Sequence, residues 1–327
     1  MKAVSYIALL CGLALATALV AFAGAGTVVG SLAAVGWKVA WIALYFILPL
    51  SMVATGWRQL FAPGRAPSMT MTLRSVWIGI SVNWLLPVAQ VGGELVRARL
   101  IIRAGTPGAE AGASVVVDKT VQAVNVVLFG LLGLVLLISL TGEADMLPVM
   151  VAFLCVLAVL IFTFYRVQRA GMFGYLANRL PAFAGRTRWE QLVGGAEALD
   201  EAIREIYRAP RRVLLAGAFR MAGRLLLTGE LWLALHFLGH PISFAEALML
   251  ESLGQAIRGG TFFVPGALGV QEGSFMVMAP LVGLSPEIGL ALSLVKRSRE
   301  LIVGVPALVY WQASEGRWLW QKRRALR

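Results

Sequence analysis

Apolar runs long enough to cross a bilayer recur along the whole of this chain. A helix rising 1.5 Å per residue needs about 20 apolar residues to cross roughly 30 Å of hydrocarbon. Windows of that kind fall near residues 3–24, 37–56, 112–140, 147–165, 212–237 and 287–312. Apolar residues make up 59% of the chain and charged residues 14%, a balance that a water-facing globule does not carry. In hydrocarbon every backbone N–H and C=O must find a partner within the protein, which leaves helices or a closed barrel. Runs of this length choose helices, so the expected fold class is an all-α polytopic membrane bundle forming a single integral domain over residues 1–327. Lys2 ahead of a run ending in Ala21-Phe22-Ala23 has the outline of a signal peptide. The run from Ala3 to Ala23 exceeds the usual h-region and reads instead as a retained span.

Two more apolar stretches, 72–104 and 244–282, are interrupted in the middle. The first breaks at Pro87 with Gly92 and Gly93, the second at Pro265 and Gly266 with Gly269. Each half is too short to span alone, so both stretches are expected to be re-entrant helical hairpins. Broken backbone at membrane depth is tolerated only where protein or a watery cavity covers it. The two tips should therefore meet in the interior.

A shift of 178 positions carries Pro87 onto Pro265 and Glu94 onto Glu272. The same shift carries Ala89 onto Ala267, Gly105 onto Gly283, Val117 onto Val295, Lys119 onto Arg297 and Thr120 onto Ser298. Hairpin plus following helix thus reads as a repeat, 72–140 and 244–312. Three spans separate the copies, so the second is inverted relative to the first. Secondary transporters are built this way, with broken helices from two inverted halves meeting near the midplane. The plainer alternative is that Pro-Gly breaks only kink ordinary helices.

Net charge is +12, yet the basic residues gather in the gaps between apolar runs, which is the positive-inside pattern and not a nucleic-acid footprint. Arg58, Arg65 and Arg74, then Arg97, Arg99 and Arg103, nine arginines from Arg166 to Arg212, and the tail from Arg317 onward all fall on one side. The opposite connections lack basic residues. Both termini are then cytoplasmic, in a cytoplasmic-type membrane. Within the connector 168–208, Trp189, Leu192, Val193, Ala196, Leu199, Ile203 and Ile206 recur at helical spacing, which suggests an amphipathic cytoplasmic helix on the membrane surface, a simple connector or a docking element for a partner.

Charges inside spans cost roughly 2.5–3.5 kcal/mol each at a helix centre, so they should be paired or functional. Asp118 and Lys119 lie early in the helix after the first hairpin, and Lys296, Arg297, Arg299 and Glu300 lie at the matching place in the last span. Arg220 and Arg224 share a face of the 212–237 span, with Glu230 deeper, and Glu251, Gln255 and Arg258 form one stripe on the second hairpin. These residues, with Glu94 and Glu272, are expected either to bind a polar or anionic headgroup in a central cavity or to lock the hairpins by ion pairing.

No Gly-Lys-Ser/Thr phosphate loop occurs, and His236 and His240 have no ligand partners at metal spacing. Cys11 and Cys155 sit in apolar runs. No catalytic residue, cofactor or metal site is expected.

The strings Leu-Leu-Pro-Val-Ala-Gln-Val-Gly-Gly-Glu-Leu-Val (85–96), Ala-Ser-Val-Val-Val-Asp (113–118), Val-Pro-Gly-Ala-Leu-Gly-Val-Gln-Glu-Gly (264–273) and Ala-Leu-Ser-Leu-Val-Lys-Arg (291–297) resemble the HpnL family. These hopanoid-associated membrane proteins belong to a flippase-like group similar to the membrane domain of lysylphosphatidylglycerol synthase. The resemblance implies a lipid flippase with a hopanoid or phospholipid as cargo, hopanoid-pathway proteins as partners and a homo-oligomer as one assembly. It carries no counterpart of the synthase's soluble transferase domain. A lipid-modifying transferase and a non-transporting accessory of hopanoid biosynthesis are the rival readings.

Overall fold

A computed structural model describes residues 35–86, 88, 91–142, 147–179, 195–261 and 264–325. The expected first span at 3–24, Pro87, and Trp189, Leu192 and Val193 of the connector lie outside the described residues. Regular structure in the described residues is helical throughout, with no strand, in keeping with an all-α membrane protein. Its helices are α1 (Gly36–Arg58), α2 (Met69–Leu85), α3 (Gly92–Arg103), α4 (Gly108–Thr141), α5 (Leu147–Arg169), α6 (Met172–Arg179), α7 (Ala196–Tyr207), α8 (Pro210–Phe237), α9 (Phe244–Gly260), α10 (Val270–Met278) and α11 (Pro286–Ala325). Among the described residues, α1 and α4 are long and apolar enough to cross a membrane by that measure alone.

Local chemistry sets the ends of these elements. Ser68 caps α2 by accepting from the Met71 N–H, and Ser243 and Glu246 form a reciprocal capping box on α9. Pro210 opens α8, where a missing N–H costs nothing, and α4 stops at Gly142 in the left-handed conformation.

The two interrupted stretches each fold into a pair of antiparallel helices, α2/α3 and α9/α10. A side chain at Gly93 would collide with the Gly79 carbonyl, and one at Gly254 would meet Phe275. Helix packing in lipid depends on such close approach, since lipid offers no hydrophobic drive between helices. Here the sequence reading of Gly92 and Gly93 is corrected. They occupy the first turn of α3, just after the interruption, and Gly93 serves backbone contact with α2 where a helix break was expected. Gly266 and Gly269 do form a true break, both at positive φ (61° and 76°), with Ala267 between them at φ 50°.

The long helix α11 runs past both pairs. Near its start Gly289 abuts the Phe275 carbonyl and Ala279 of the second pair, and toward its end Glu315 holds Arg99 and Arg103 of the first. Those contact points lie about 39 Å apart along the helix at 1.5 Å per residue. Between them the tips converge, with Gly266 against the Trp84 carbonyl.

On the outer surface, Val149, Val156, Val159, Leu160 and Phe162 of α5 are exposed. So large an apolar face suits lipid and not water. The connector differs from expectation. Leu199, Ile203 and Ile206 of α7 are buried in a protein core with Ala111, Ala113 and Val115 of α4, so this apolar face is covered by helix and not by a membrane surface. Tyr207 donates to Gln168, which donates to Thr120 of α4, and burial pushes the Tyr207 phenol up to about 12.

Candidate functional site

A cavity of about 230 Å³ opens between α1, α2, α3, α4, α8, α9 and α11. Seven cations (Arg97, Lys119, Arg220, Arg224, Arg258, Lys296, Arg299) and two carboxylates (Glu94, Glu251) line it. Phe46, Leu50, Ile80 and Trp84 supply its apolar wall. Charges of this density are tolerable in a low-dielectric interior only with counter-charges close by. Most of the cations have one.

Asp118 is fully buried and gathers two guanidiniums, Arg97 at 2.8 Å and Arg220, whose Nε donates at 2.7 Å. Arg97 also lies over the Trp57 ring at 4.1 Å. Lys296 pairs with Glu251 at 2.5 Å, Arg299 with Glu230 at 3.1 Å, and Arg258 with Glu300 at 3.1 Å. Arg299 is additionally sandwiched against Phe46 and Trp84. Asn125 Oδ1, Arg97 Nε, Arg299 Nη1 and Glu230 Oε2 are buried without a hydrogen-bond partner.

The tip carboxylates follow the register of the 178-residue shift. Glu94 pairs with Lys119 at 2.7 Å, and Glu272 pairs with Arg297 at 2.9 Å. Their surroundings differ. Asn83 of α2 clasps the first tip, donating to Glu94 at 3.0 Å and accepting the Gly93 N–H at 2.8 Å. At the second tip Glu272 accepts the Gly269 N–H, while Arg297 reaches Glu300 at 2.8 Å and the carbonyls of Gly266 and Ala267 at 2.7 and 3.0 Å. Arg297 thereby supplies donors to the carbonyls that the break leaves without helical partners.

Arg224 is different from every other cation here. It is buried, and its described partners are neutral oxygens, the Gln255 side chain and the Gln122 carbonyl at 3.4 Å. No carboxylate among the described residues makes an ion pair with it.

Of the residues expected at the site, Glu94, Lys119, Arg220, Arg224, Glu251, Gln255, Arg258, Lys296 and Arg299 reach the cavity wall. Asp118 sits behind it under two arginines, and Glu272 and Arg297 lie behind Arg258, connected through Gln271 and Glu300. Arg258 and Glu272 form no direct ion pair with each other; Arg258 pairs with Glu300 and Glu272 with Arg297. Arg97 corrects the charge reading: assigned to a cytoplasmic gap, it is 3% exposed and part of the core. Its three-residue spacing from Glu94 on α3 was the signal that placed it on the inward face. Asn83, which binds the first tip, and Gln271, which links Arg258 to Ser293, were missed because a lone amide in an apolar run looks unremarkable by composition. Among the described residues no group of three His, Cys, Asp or Glu could hold a metal.

Against known proteins, the family described as Lysylphosphatidylglycerol synthase TM region matches residues 9–307. A UPF0104 membrane protein of Pyrococcus horikoshii is 24% identical over 260 residues, covering 74% of this chain and 75% of its own. No solved structure matches the chain.

Proposed function

Since this chain belongs to the lysylphosphatidylglycerol synthase TM region family, we propose that it is a lipid translocator that moves an amphipathic lipid between the leaflets of a bacterial inner membrane. Its headgroup enters the polar cavity while its hydrocarbon remains among the helices. The observation that carries this reading is Arg224, a buried guanidinium facing neutral oxygens in a cavity where cations outnumber carboxylates. A buried cation without a direct ion pair is costly, and an entering phosphate or carboxylate offsets that cost with charge-assisted, geometrically matched bonds. Cargo of phospholipid type fits this better than a neutral hopanoid alcohol.

The hairpins supply the motion. Their open ends pack near opposite ends of α11, their tips meet, and their glutamates pair with cations 25 residues later in both copies, which supports two re-entrant hairpins in inverted repeats; the basic connections support cytoplasmic termini. An anion near Lys119 competes with Glu94 for that ammonium and frees the first tip. Alternating access follows from releasing one tip at a time. The chain acts as a transporter and not as an enzyme in this reading.

Reconstitution into liposomes tests it. The protein should accelerate movement of a fluorescent short-chain phosphatidylglycerol across the bilayer, and Arg224→Gln should lower that rate at least tenfold while still purifying as a monodisperse species. A wild-type rate equal to that of protein-free vesicles would overturn the translocation reading.

A further inference from the structure

A second hollow of about 480 Å³ lies behind the second hairpin, between α4, α5, α9 and α10. Gly130, Val149, Leu154, Ile257, Val270 and Val277 are on its wall, and no ionisable side chain is. Its two hydroxyls are already satisfied within their own helices: Thr261 donates to the Ile257 carbonyl at 3.0 Å and Ser274 to the Gln271 carbonyl at 2.9 Å. With no polar group left to hold water, such a space favours hydrocarbon. Val149 is 71% and Val277 65% exposed, so the hollow is a groove open to the outer face that α5 presents to lipid.

This groove and the polar cavity share two helices, α4 and α9, and lie closest along α9. Gln255, Arg258 and Gly259 of α9 face the cavity, while Ala256, Ile257 and Thr261 face the groove. Both hollows thus reach the same turns of α9 on opposite faces, at its inner end where the hairpin turns. The cavity, at about 230 Å³, is smaller than the pockets of roughly 300–1,000 Å³ that enclose whole small molecules, so it accommodates a headgroup and excludes the tail.

We infer that the groove holds one hydrocarbon chain of the lipid whose anionic headgroup occupies the cavity, the molecule bending around the inner end of α9. The inference rests on the translocation reading above and adds to it a place for the tail. It also gives the second hairpin a sensor on each side. The chain touches Val270 and Gly273 next to Glu272, and the headgroup touches Arg258, which bonds Gln271 at 2.7 Å.

The test uses phosphatidylglycerol carrying a diazirine near the end of one acyl chain, incorporated with the full-length protein in nanodiscs and photolysed, with adducts mapped by peptide mass spectrometry. Adducts should concentrate on α10 and the start of α5, at Val277, Leu281 and Val149. Val277→Trp, a rim position with room for a larger ring, should lower groove adducts at least fivefold without changing the melting temperature. Arg224→Gln should lower them in parallel, because the chain loses its anchored head. Adducts spread evenly over α5 and indifferent to Val277→Trp would show that the groove is no site, and groove adducts indifferent to Arg224→Gln would assign them to a resident lipid; either overturns the inference. Transport that depends on Arg224 beside groove adducts that do not would remove this inference alone. Arg224-dependent adducts in a protein that moves no lipid would support the groove and remove the translocation reading.

Discussion

The two hairpin tips carry the same carboxylate in the same register, and they are held in different ways. Glu94 is bound by one lysine and one asparagine amide, and the Lys119 side chain is 33% exposed at the cavity wall. Glu272 is bound by an arginine, 14% exposed, that also grips Glu300 and two tip carbonyls behind the wall. The repeat proposed above accounts for the shared glutamates. The difference points to a division of labour, in which the first tip is open to whatever enters the cavity and the second is locked from behind. One residue earlier than the paired cations the copies even invert their charge, Asp118 held by Arg97 and Arg220, Lys296 held by Glu251.

The largest effect expected concerns orientation, which is all or none. In a background without Cys11 and Cys155, a cysteine replacing exposed His240, near the open end of the second hairpin, should label from outside. A cysteine replacing exposed Ala104, at the open end of the first, should not. Labelling of both from one side would remove the inversion and with it the comparison. Next comes the lock: Arg297→Gln strips Glu272 of its cation and the tip carbonyls of their donor, so stability should fall by about 3–5 kcal/mol, read as a lowered melting temperature in detergent. An unchanged melting temperature would mean that the second tip is no more fixed than the first. Smallest is the rim pair Arg99–Glu315, where Arg99 is 48% exposed and Arg103 also holds Glu315. Arg99→Gln should change stability by less than about 1 kcal/mol, and a larger loss would extend the lock to the open end of the first hairpin.

Much of this was legible before any coordinates. The helical stretches follow from apolar run lengths and the second break from Pro265, Gly266 and Gly269, and the common register of Glu94 and Glu272 follows from aligning the chain with itself. Partners distant in sequence were not legible. Arg220 finds Asp118 across 102 residues and Arg299 finds Glu230 across 69, and nothing in either segment names the other. Arg97 looked like a surface anchor because a basic residue beside a hairpin arm reads the same whether it points to water or to a buried carboxylate. The face of α7 misled for a similar reason, since a membrane surface and the flank of α4 ask for the same apolar stripe. Gly93 was read as a breaker because composition cannot separate a glycine that bends a chain from one that lets two backbones touch.

The division of labour is tested most directly by comparing Glu94→Gln with Glu272→Gln in the same liposome assay and the same melting experiment. Glutamine keeps the size and most of the hydrogen bonding but not the charge. Glu94→Gln should melt within about 1 kcal/mol of wild type, since Lys119 keeps access to solvent and Asn83 keeps its bond, yet move lipid at least tenfold more slowly; Glu272→Gln should lose stability and transport together. A Glu94→Gln protein that is stable and transports at the wild-type rate would contradict the account.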